Sequence, residues 1–235
     1  MKYLTLSFDD GTVQDRRFVG ILNRYGIKCT FNLNSGLFSK KHNIIHEGID
    51  VCHDEIDPDE VRTLYAGHEV AAHTITHPNL LRCTPEQVIR EVRDDALALE
   101  ALCGVKVTGM AYPGRPFFDE TTIRLIRENT DIIYARTVAS HFTLKFPERL
   151  MTWDPSCYFH PKQYAELDRL TDEFISSESE DDLLLYVWGH SFELDKFDGA
   201  WDKFERFCEK IGGRDDIRYV TNREVAAILP ASARE

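Results

Sequence analysis

The chain has 235 residues, of which 43% are hydrophobic, so we expect one domain with a single large core. Its 28 basic and 40 acidic residues give a net charge of −12, which argues against nucleic acid and anionic membrane surfaces as partners. The start of the chain is too quickly charged for a secretory signal, and no stretch approaches the roughly 18 apolar residues of a membrane helix. We therefore expect a cytoplasmic protein with reduced cysteines.

Seven apolar runs rich in β-forming residues predict strands along the chain. They are Tyr3–Phe8, Lys28–Leu33, Glu69–His73, Val105–Tyr112, Asp131–Arg136, Leu183–Trp188 and Ile217–Val220. Helices are predicted between most of them, at Val13–Tyr25, after Asp57, from Thr84 to about Cys103, and at Glu120–Asn129, Pro161–Ile175, Gly199–Ile211 and Asn222–Leu229. This alternation implies parallel strands joined by right-handed crossovers.

Two of the predicted helices carry clear start and stop signals. Asp57 is expected as an N-cap with Pro58 at the first helical position. Thr84 and Gln87 have the spacing of a capping box, and Gly104 is expected to end that helix.

An open doubly wound sheet and a closed barrel both fit the alternation. Side chains that can take part in catalysis or bind a metal stand at the ends of four well-separated strands: Asp9 and Asp10, His73, Tyr112, and His190. A parallel barrel builds its site from the carboxyl ends of several strands, whereas an open sheet uses mainly one crevice. The distribution therefore favours a barrel.

Two of these strand ends suggest a metal site. His73 and His77 are four residues apart in HTITH, so both imidazoles can face one point. Two nitrogens and one carboxylate oxygen form a catalytic zinc site that leaves a position open for water. A cation would also explain why Asp9 and Asp10 stand side by side, because it offsets their mutual repulsion.

The stretches SFDDGT, HTITH, AYPGRP and YVWGHSF resemble, in order, the first, second, third and fifth motifs of the polysaccharide deacetylases, the NodB-homology enzymes of carbohydrate esterase family four. The resemblance runs from Leu4 to about Ile228. It implies an α/β fold, a distorted (β/α) barrel of about seven parallel strands, with residues 1–235 as one catalytic domain. It also implies a hydrolase that removes N-acetyl groups from amino sugars of a polysaccharide or oligosaccharide.

By position, the resemblance implies that Asp10, His73 and His77 hold one divalent metal. Zinc is the first expectation, and the ligand types also permit cobalt or nickel. Two alternatives to the sugar deacetylase stay open: a metalloamidase acting on a small non-sugar amide, and a barrel that binds carbohydrate without turnover.

The resemblance also implies roles for four further residues. Asp9 would be the general base that activates the attacking water, and His190 the general acid that protonates the leaving amine. Gly114 would offer its backbone N–H to the oxyanion, and Tyr112 beside it is a further candidate at this position.

Two family features are altered in this sequence. The third-motif arginine that orients the base is replaced by Ala111, and the fourth motif has only a loose counterpart in Trp153 and Asp154. We expect either that Arg115 and Asp154 rebuild the lost support pair or that the base is held in another way.

Residues around His190 have two interpretations. Trp188, Phe192 and Glu193 could line a sugar subsite, or they could serve as core packing and a helix-cap acid. The segment His53–Asp57 is predicted in a long loop, where it could cover the site or, through its acids, cap the following helix. Five histidines without a partner pattern are expected on the surface: His42, His46, His68, His141 and His160.

Overall fold

Residues 1–230 are described in a computed structural model, in which strands and helices alternate along the chain. The strands are β1 (Lys2–Asp10), β2 (Thr30–Leu33), β3 (Asn43–His46), β4 (Ile49–Cys52), β5 (Glu69–Ala72), β6 (Gly109–Ala111), β7 (Tyr134–Arg136), β8 (Cys157–Tyr158), β9 (Leu183–His190) and β10 (Ile217–Tyr219). The helices are α1 (Asp15–Tyr25), α2 (Val61–Leu64), α3 (Pro85–Cys103), α4 (Glu120–Asn129), α5 (Tyr164–Ser176), α6 (Glu193–Lys196), α7 (Ala200–Ile211) and α8 (Asn222–Ile228).

The main sheet is parallel and curls into a distorted barrel. Its strand order is β7-β6-β5-β2-β1-β9-β8, and β10 pairs with the amino-terminal half of β1. The two edges are linked by one short segment, because Trp153 bridges Arg136 at the end of β7 while β8 pairs with β9. The predicted parallel strands and barrel are confirmed.

Successive side chains of each strand point to opposite sides of the sheet. The barrel therefore has one core inside the sheet and another between the sheet and the helices. On β1, Phe8 points outward and packs against Phe18 of α1 and Phe204 of α7, with ring centroids 4.1 and 6.1 Å from its own. A smaller cluster fills the barrel interior and comprises Tyr134, Leu150, Trp153, Leu184, Tyr186, Val225 and Ala226. Residues of β1 that face inward therefore share an interior with β9, which positions the end of β1 for the site.

The predicted capping signals are confirmed. Thr84 and Gln87 form a capping box at the start of α3, and Gly104 ends it with φ +76°. Asp57 and Glu60 form a second capping box around Pro58.

The antiparallel hairpin β3–β4 and the two-residue strand β8 were not predicted. Each hairpin strand has only four residues and is largely solvent-facing, so it shows no apolar run. The turn between them is made by Glu47 and Gly48, both with positive φ, and lacks the Asn-Gly signal typical of such turns. None of the helices within residues 1–230 has the length and apolar character needed to cross a bilayer.

Candidate active site

The carboxyl ends of the barrel strands surround a cavity of about 830 Å³. Strand register brings the predicted residues together, because Asp9 is paired with Asn32 of β2 on one side and with His190 of β9 on the other. His73 follows directly after β5, the next strand in the sheet. The cavity is thus lined by side chains from several strands, as expected for a parallel barrel.

Asp10, His73 and His77 form the one group within residues 1–230 whose donor atoms could hold a metal ion, with all three atoms within 4.8 Å of one another. The Nδ1 atom of His73 lies 2.8 Å from the carbonyl of Ala111 and can donate to it. This contact leaves Nε2 free, 3.7 Å from Oδ1 of Asp10. An imidazole oriented in this way by a carbonyl is typical of metal-ligating histidines.

The backbone around these three residues is unusual. Asp10, Thr74 and His77 have φ values of 78°, 69° and 56°, a region that side chains other than glycine rarely adopt. The loop is held in place by Asn34, whose amide donates to the carbonyls of His73 at 2.5 Å and Thr74 at 2.8 Å. Strain of this kind occurs at functional sites where surrounding contacts enforce it.

Asp9 is held by two donors. The guanidinium of Arg136 donates to Oδ2, and the amide of Asn32 donates to Oδ1 at 2.8 Å. Arg136 is completely buried at the end of β7, where its guanidinium lies 4.5 Å from the ring centroid of Trp188. A buried arginine bonded to a buried carboxylate fixes the position of that carboxylate.

Arg136 is the group that the sequence analysis missed. Arg115 lies exposed at the cavity wall, and Asp154 accepts a hydrogen bond from the Thr137 hydroxyl, so this pair does not rebuild the support of Asp9. The second expectation, that the base is held in another way, agrees with the structure. A signal was present, because Arg136 ends a predicted strand just as His73 does.

His190 is paired with a buried acid. Its Nδ1 lies 3.2 Å from Oε2 of Glu193, and its Nε2 lies 3.9 Å from Oδ2 of Asp9. The Tyr158 hydroxyl donates to Glu193 at 2.6 Å. Burial alone would lower the pKa of His190, but the charges of Glu193 and Asp10 raise it to about 9.

The predicted sugar-contact role does not fit Glu193 or Trp188. Glu193 is only 1% exposed and is engaged with His190. The ring of Trp188 is stacked on Tyr158 at 4.1 Å and covered by the Arg136 guanidinium, so its faces are occupied by protein. Glu193 therefore acts from behind the cavity wall, whereas Trp188 lines the cavity with only 5% of its surface exposed.

Four other candidates have mixed outcomes. Trp153 is buried in the barrel interior against Tyr186, far more enclosed than a substrate contact would be. Tyr112 is also buried, with its hydroxyl donating to a carbonyl at 3.0 Å and its N–H donating to Arg136. Gly114 and Phe192 do line the cavity, and Gly114 has φ +68°.

His53 and Glu55 lie in the predicted loop and line the cavity beside the candidate metal cluster. The Nε2 atom of His53 lies 3.3 Å from Oδ2 of Asp10, and its Nδ1 lies 3.1 Å from Oε1 of Glu55. Burial would lower the pKa of His53, but the two carboxylates raise it to about 10. Burial opposes ionisation of Asp10 too, yet His53 and the nearby His190 lower its pKa far below the usual range.

The tip of the β3–β4 hairpin closes one side of the cavity. Glu47 contacts Lys196 at 2.9 Å, Lys162 at 2.5 Å and His160 at 3.2 Å. The Lys196 side chain is completely buried, and its ammonium also contacts His46. His160 is buried and His46 lines the cavity, so the expectation that both lie free on the surface was wrong.

A model of the polysaccharide deacetylase family matches residues 1–130, more than half of the chain. The chain therefore belongs to the polysaccharide deacetylase family, as its four motifs predicted. A chitooligosaccharide deacetylase of Rhizobium leguminosarum bv. trifolii is 31% identical over 101 residues, which cover 42% of this chain and 40% of that relative. The chain thus spans less than half the length of this curated relative.

Solved structures of the same fold include an enzyme and a pseudoenzyme. A family 4 acetyl xylan esterase from Clostridium thermocellum, in complex with a cobalt ion, has a TM-score of 0.55 and 16% identity, covering 96% of this chain and 90% of that chain. A CE4 family pseudoenzyme from Bacillus anthracis has a TM-score of 0.56 and 16% identity, covering 96% and 65%. At 16% sequence identity, this likeness shows the fold but not the chemistry of the site.

Proposed function

We propose that this protein is a metal-dependent N-deacetylase that hydrolyses the acetamide of amino sugars in a polysaccharide or oligosaccharide. One observation carries the proposal. Oδ2 of Asp9 lies 3.9 Å from Nε2 of His73 and 3.9 Å from Nε2 of His190, so a candidate base stands between the candidate metal ligands and the candidate acid. A binding barrel without turnover has no need for this arrangement.

The three donors of the metal cluster fit a divalent ion. One carboxylate and two imidazoles suit zinc, which we propose, and also cobalt or nickel. When bound, such an ion supplies a Lewis acid for the acetyl carbonyl and makes water more acidic.

The chain's own residues complete the reaction. Asp9, held in place by Arg136, accepts a proton from the water that attacks the acetyl carbon. His190, kept charged by Glu193, donates a proton to the sugar nitrogen as the carbon–nitrogen bond breaks, so that acetate and a free amine form. The backbone N–H of Gly114 is proposed as a donor to the developing oxyanion.

The test is acetate release from N-acetylglucosamine oligomers by zinc-loaded protein, with and without chelator. We expect turnover that chelator abolishes and that added metal restores. Asp9→Asn should reduce kcat by roughly 10²–10⁴-fold, because it removes the base, while metal binding persists. If metal-loaded protein bound these oligomers but released no acetate, the carbohydrate-binding alternative would replace the deacetylase.

A small non-sugar amide is the second candidate substrate. The contacts of Glu47 with Lys162 and His160 join the hairpin to the opposite wall and narrow the cavity, which favours a small molecule over a long polymer. A panel of simple N-acetylated amines, assayed beside the sugar oligomers, separates the two candidates. Turnover of the amines alone would support the second.

A further inference from the structure

His53 lies directly after the hairpin and contacts a residue proposed as a metal ligand. We propose that His53 is a positioning residue that fixes the carboxylate of Asp10 for metal binding, with Glu55 fixing His53 in turn. The inference rests on the metal site in the proposed function, but not on which substrate the protein hydrolyses.

The two oxygens of Asp10 have different surroundings. Oδ1 faces the metal cluster, 3.7 Å from Nε2 of His73, whereas Oδ2 lies 3.3 Å from Nε2 of His53. A carboxylate group is otherwise free to rotate about its terminal bond. A contact from His53 to Oδ2 restricts that rotation and leaves Oδ1 directed at the cluster.

The backbone around His53 is attached to the segment that follows Asp10. Val13 donates to the carbonyl of Asp54 at 2.8 Å, and Ile56 donates to the carbonyl of Gly11 at 3.0 Å. These bonds flank Glu55, which pairs with Thr12 as an isolated antiparallel bridge. The separation between His53 and Asp10 is therefore set by the backbone and does not depend on two long side chains.

The His53 ring is also confined by its neighbours. Phe192 packs on it with ring centroids 4.6 Å apart. The carboxylate of Glu55, only 3% exposed, stands 3.1 Å from Nδ1 on the side away from Asp10. Hydrogen-bond partners of a ligating carboxylate orient it at a metal site, and loss of such a partner typically costs 10–100-fold in metal affinity.

His53 acts through Asp10 and is not a fourth ligand in this arrangement. Among residues 1–230 the donor cluster comprises Asp10, His73 and His77, and His53 approaches the oxygen of Asp10 that faces away from His73. The expected effect of its removal is therefore a weaker site with the same ligands.

The experiment measures the dissociation constant for zinc on the full chain by competition with a chromophoric chelator. His53→Leu should weaken binding about 10- to 100-fold, because it removes the contact to Asp10 while filling the space. His53→Gln keeps an amide donor near the position of Nε2 and should restore affinity to within a few-fold of the original protein. His42→Ala is the matched control, since it removes an exposed imidazole that is tilted by 52° from the His53 ring at 5.2 Å, and its affinity for zinc should be unchanged.

Three results would overturn the inference: unchanged affinity in His53→Leu, equal losses in His53→Leu and His53→Gln, or a loss in His42→Ala as large as in His53→Leu. Thermal unfolding in excess chelator checks that the variants fold equally well without metal. The absorption spectrum of the cobalt-loaded proteins gives a second readout, because it should change in His53→Leu and stay close to the original in His53→Gln. Should the protein release no acetate from any sugar while these affinities behave as expected, the proposed substrate fails and the role of His53 stands.

Discussion

Both ends of the barrel bury polar groups, but the two ends differ in how completely these groups are hydrogen-bonded. At the amino ends of the strands, Glu69 accepts hydrogen bonds from Tyr134 at 2.9 Å, from Thr30 at 2.8 Å and from the backbone of Arg223 at 2.9 Å. Thr30 in turn accepts from the backbone of Asn222, at the start of α8. Both carboxylate oxygens of Glu69 are therefore satisfied by groups of the protein itself.

At the carboxyl ends, several buried polar atoms of the described residues have no hydrogen-bond partner. Buried side-chain atoms without a hydrogen-bond partner within residues 1–230 include Asn32 Oδ1, Asn34 Oδ1, Arg136 Nε and Trp188 Nε1. None of the residues in the Glu69 network contributes an atom to this group. Because unsatisfied buried polar groups cost free energy, those at the carboxyl ends lower the stability of the fold around the candidate site.

The largest effect that would sharpen this comparison is expected from Arg136→Met. The substitution leaves the Asp9 carboxylate buried beside no cation, which should lower the free energy of unfolding by about 3–5 kcal/mol. Chemical denaturation measures the loss, and acetate release should fall with it because the base is no longer oriented.

The double variant Asp9→Asn/Arg136→Met is the control for this prediction. It removes both charges, so it should recover much of the lost stability while remaining inactive. If Arg136→Met alone were as stable as the original protein, the buried pair of Arg136 and Asp9 would not contribute to stability at the carboxyl end of the barrel.

A pH effect of intermediate size is expected from Asp15, at the start of α1. Burial raises the pKa of Asp15 to about 7, against hydrogen bonds from Ser191 and Tyr65 that lower it. The folded state therefore holds a proton that the unfolded state has released above its own pKa of 3.8. Its contribution to stability is complete below that value and is lost as the pH rises to about 7, with a slope of at most about 1.4 kcal/mol per pH unit.

Asp15→Asn removes the titrating carboxyl group and so tests its contribution to the pH dependence of stability. The unfolding free energies of the original protein and the variant, measured from pH 4 to pH 8, should diverge in favour of the variant as the pH rises. Parallel curves would show that Asp15 titrates alike in the folded and unfolded states.

Sequence patterns located most of the fold because the signals are local. The strands β1, β5 and β9 are apolar runs, and the capping box of Thr84 lies within four residues. Asp9, His73 and His190 could be grouped because the carboxyl ends of parallel strands share one end of a barrel.

The contacts that orient Asp9 and Asp10 could not be predicted from local sequence patterns. Arg136 and Asp9 are 127 residues apart, and His53 and Asp10 are 43 apart. No spacing rule connects such pairs, since strand order and the path of the β3–β4 hairpin decide which side chains meet. Glu193 was noticed but misinterpreted, because adjacency to His190 in sequence does not reveal that its carboxylate turns back and pairs with the imidazole.

The smallest effect is expected at the amino end, from Glu69→Gln. An amide in place of the carboxylate directs N–H groups at one of the donors that now bond to Glu69, so one buried hydrogen bond is lost at a cost of about 1–3 kcal/mol. Acetate release per folded molecule should stay unchanged, because the network of Glu69 lies at the opposite end of the strands from Asp9. If kcat fell as it does in Arg136→Met, the two ends would be coupled through the barrel interior, and the separation of stability from chemistry would have to be abandoned.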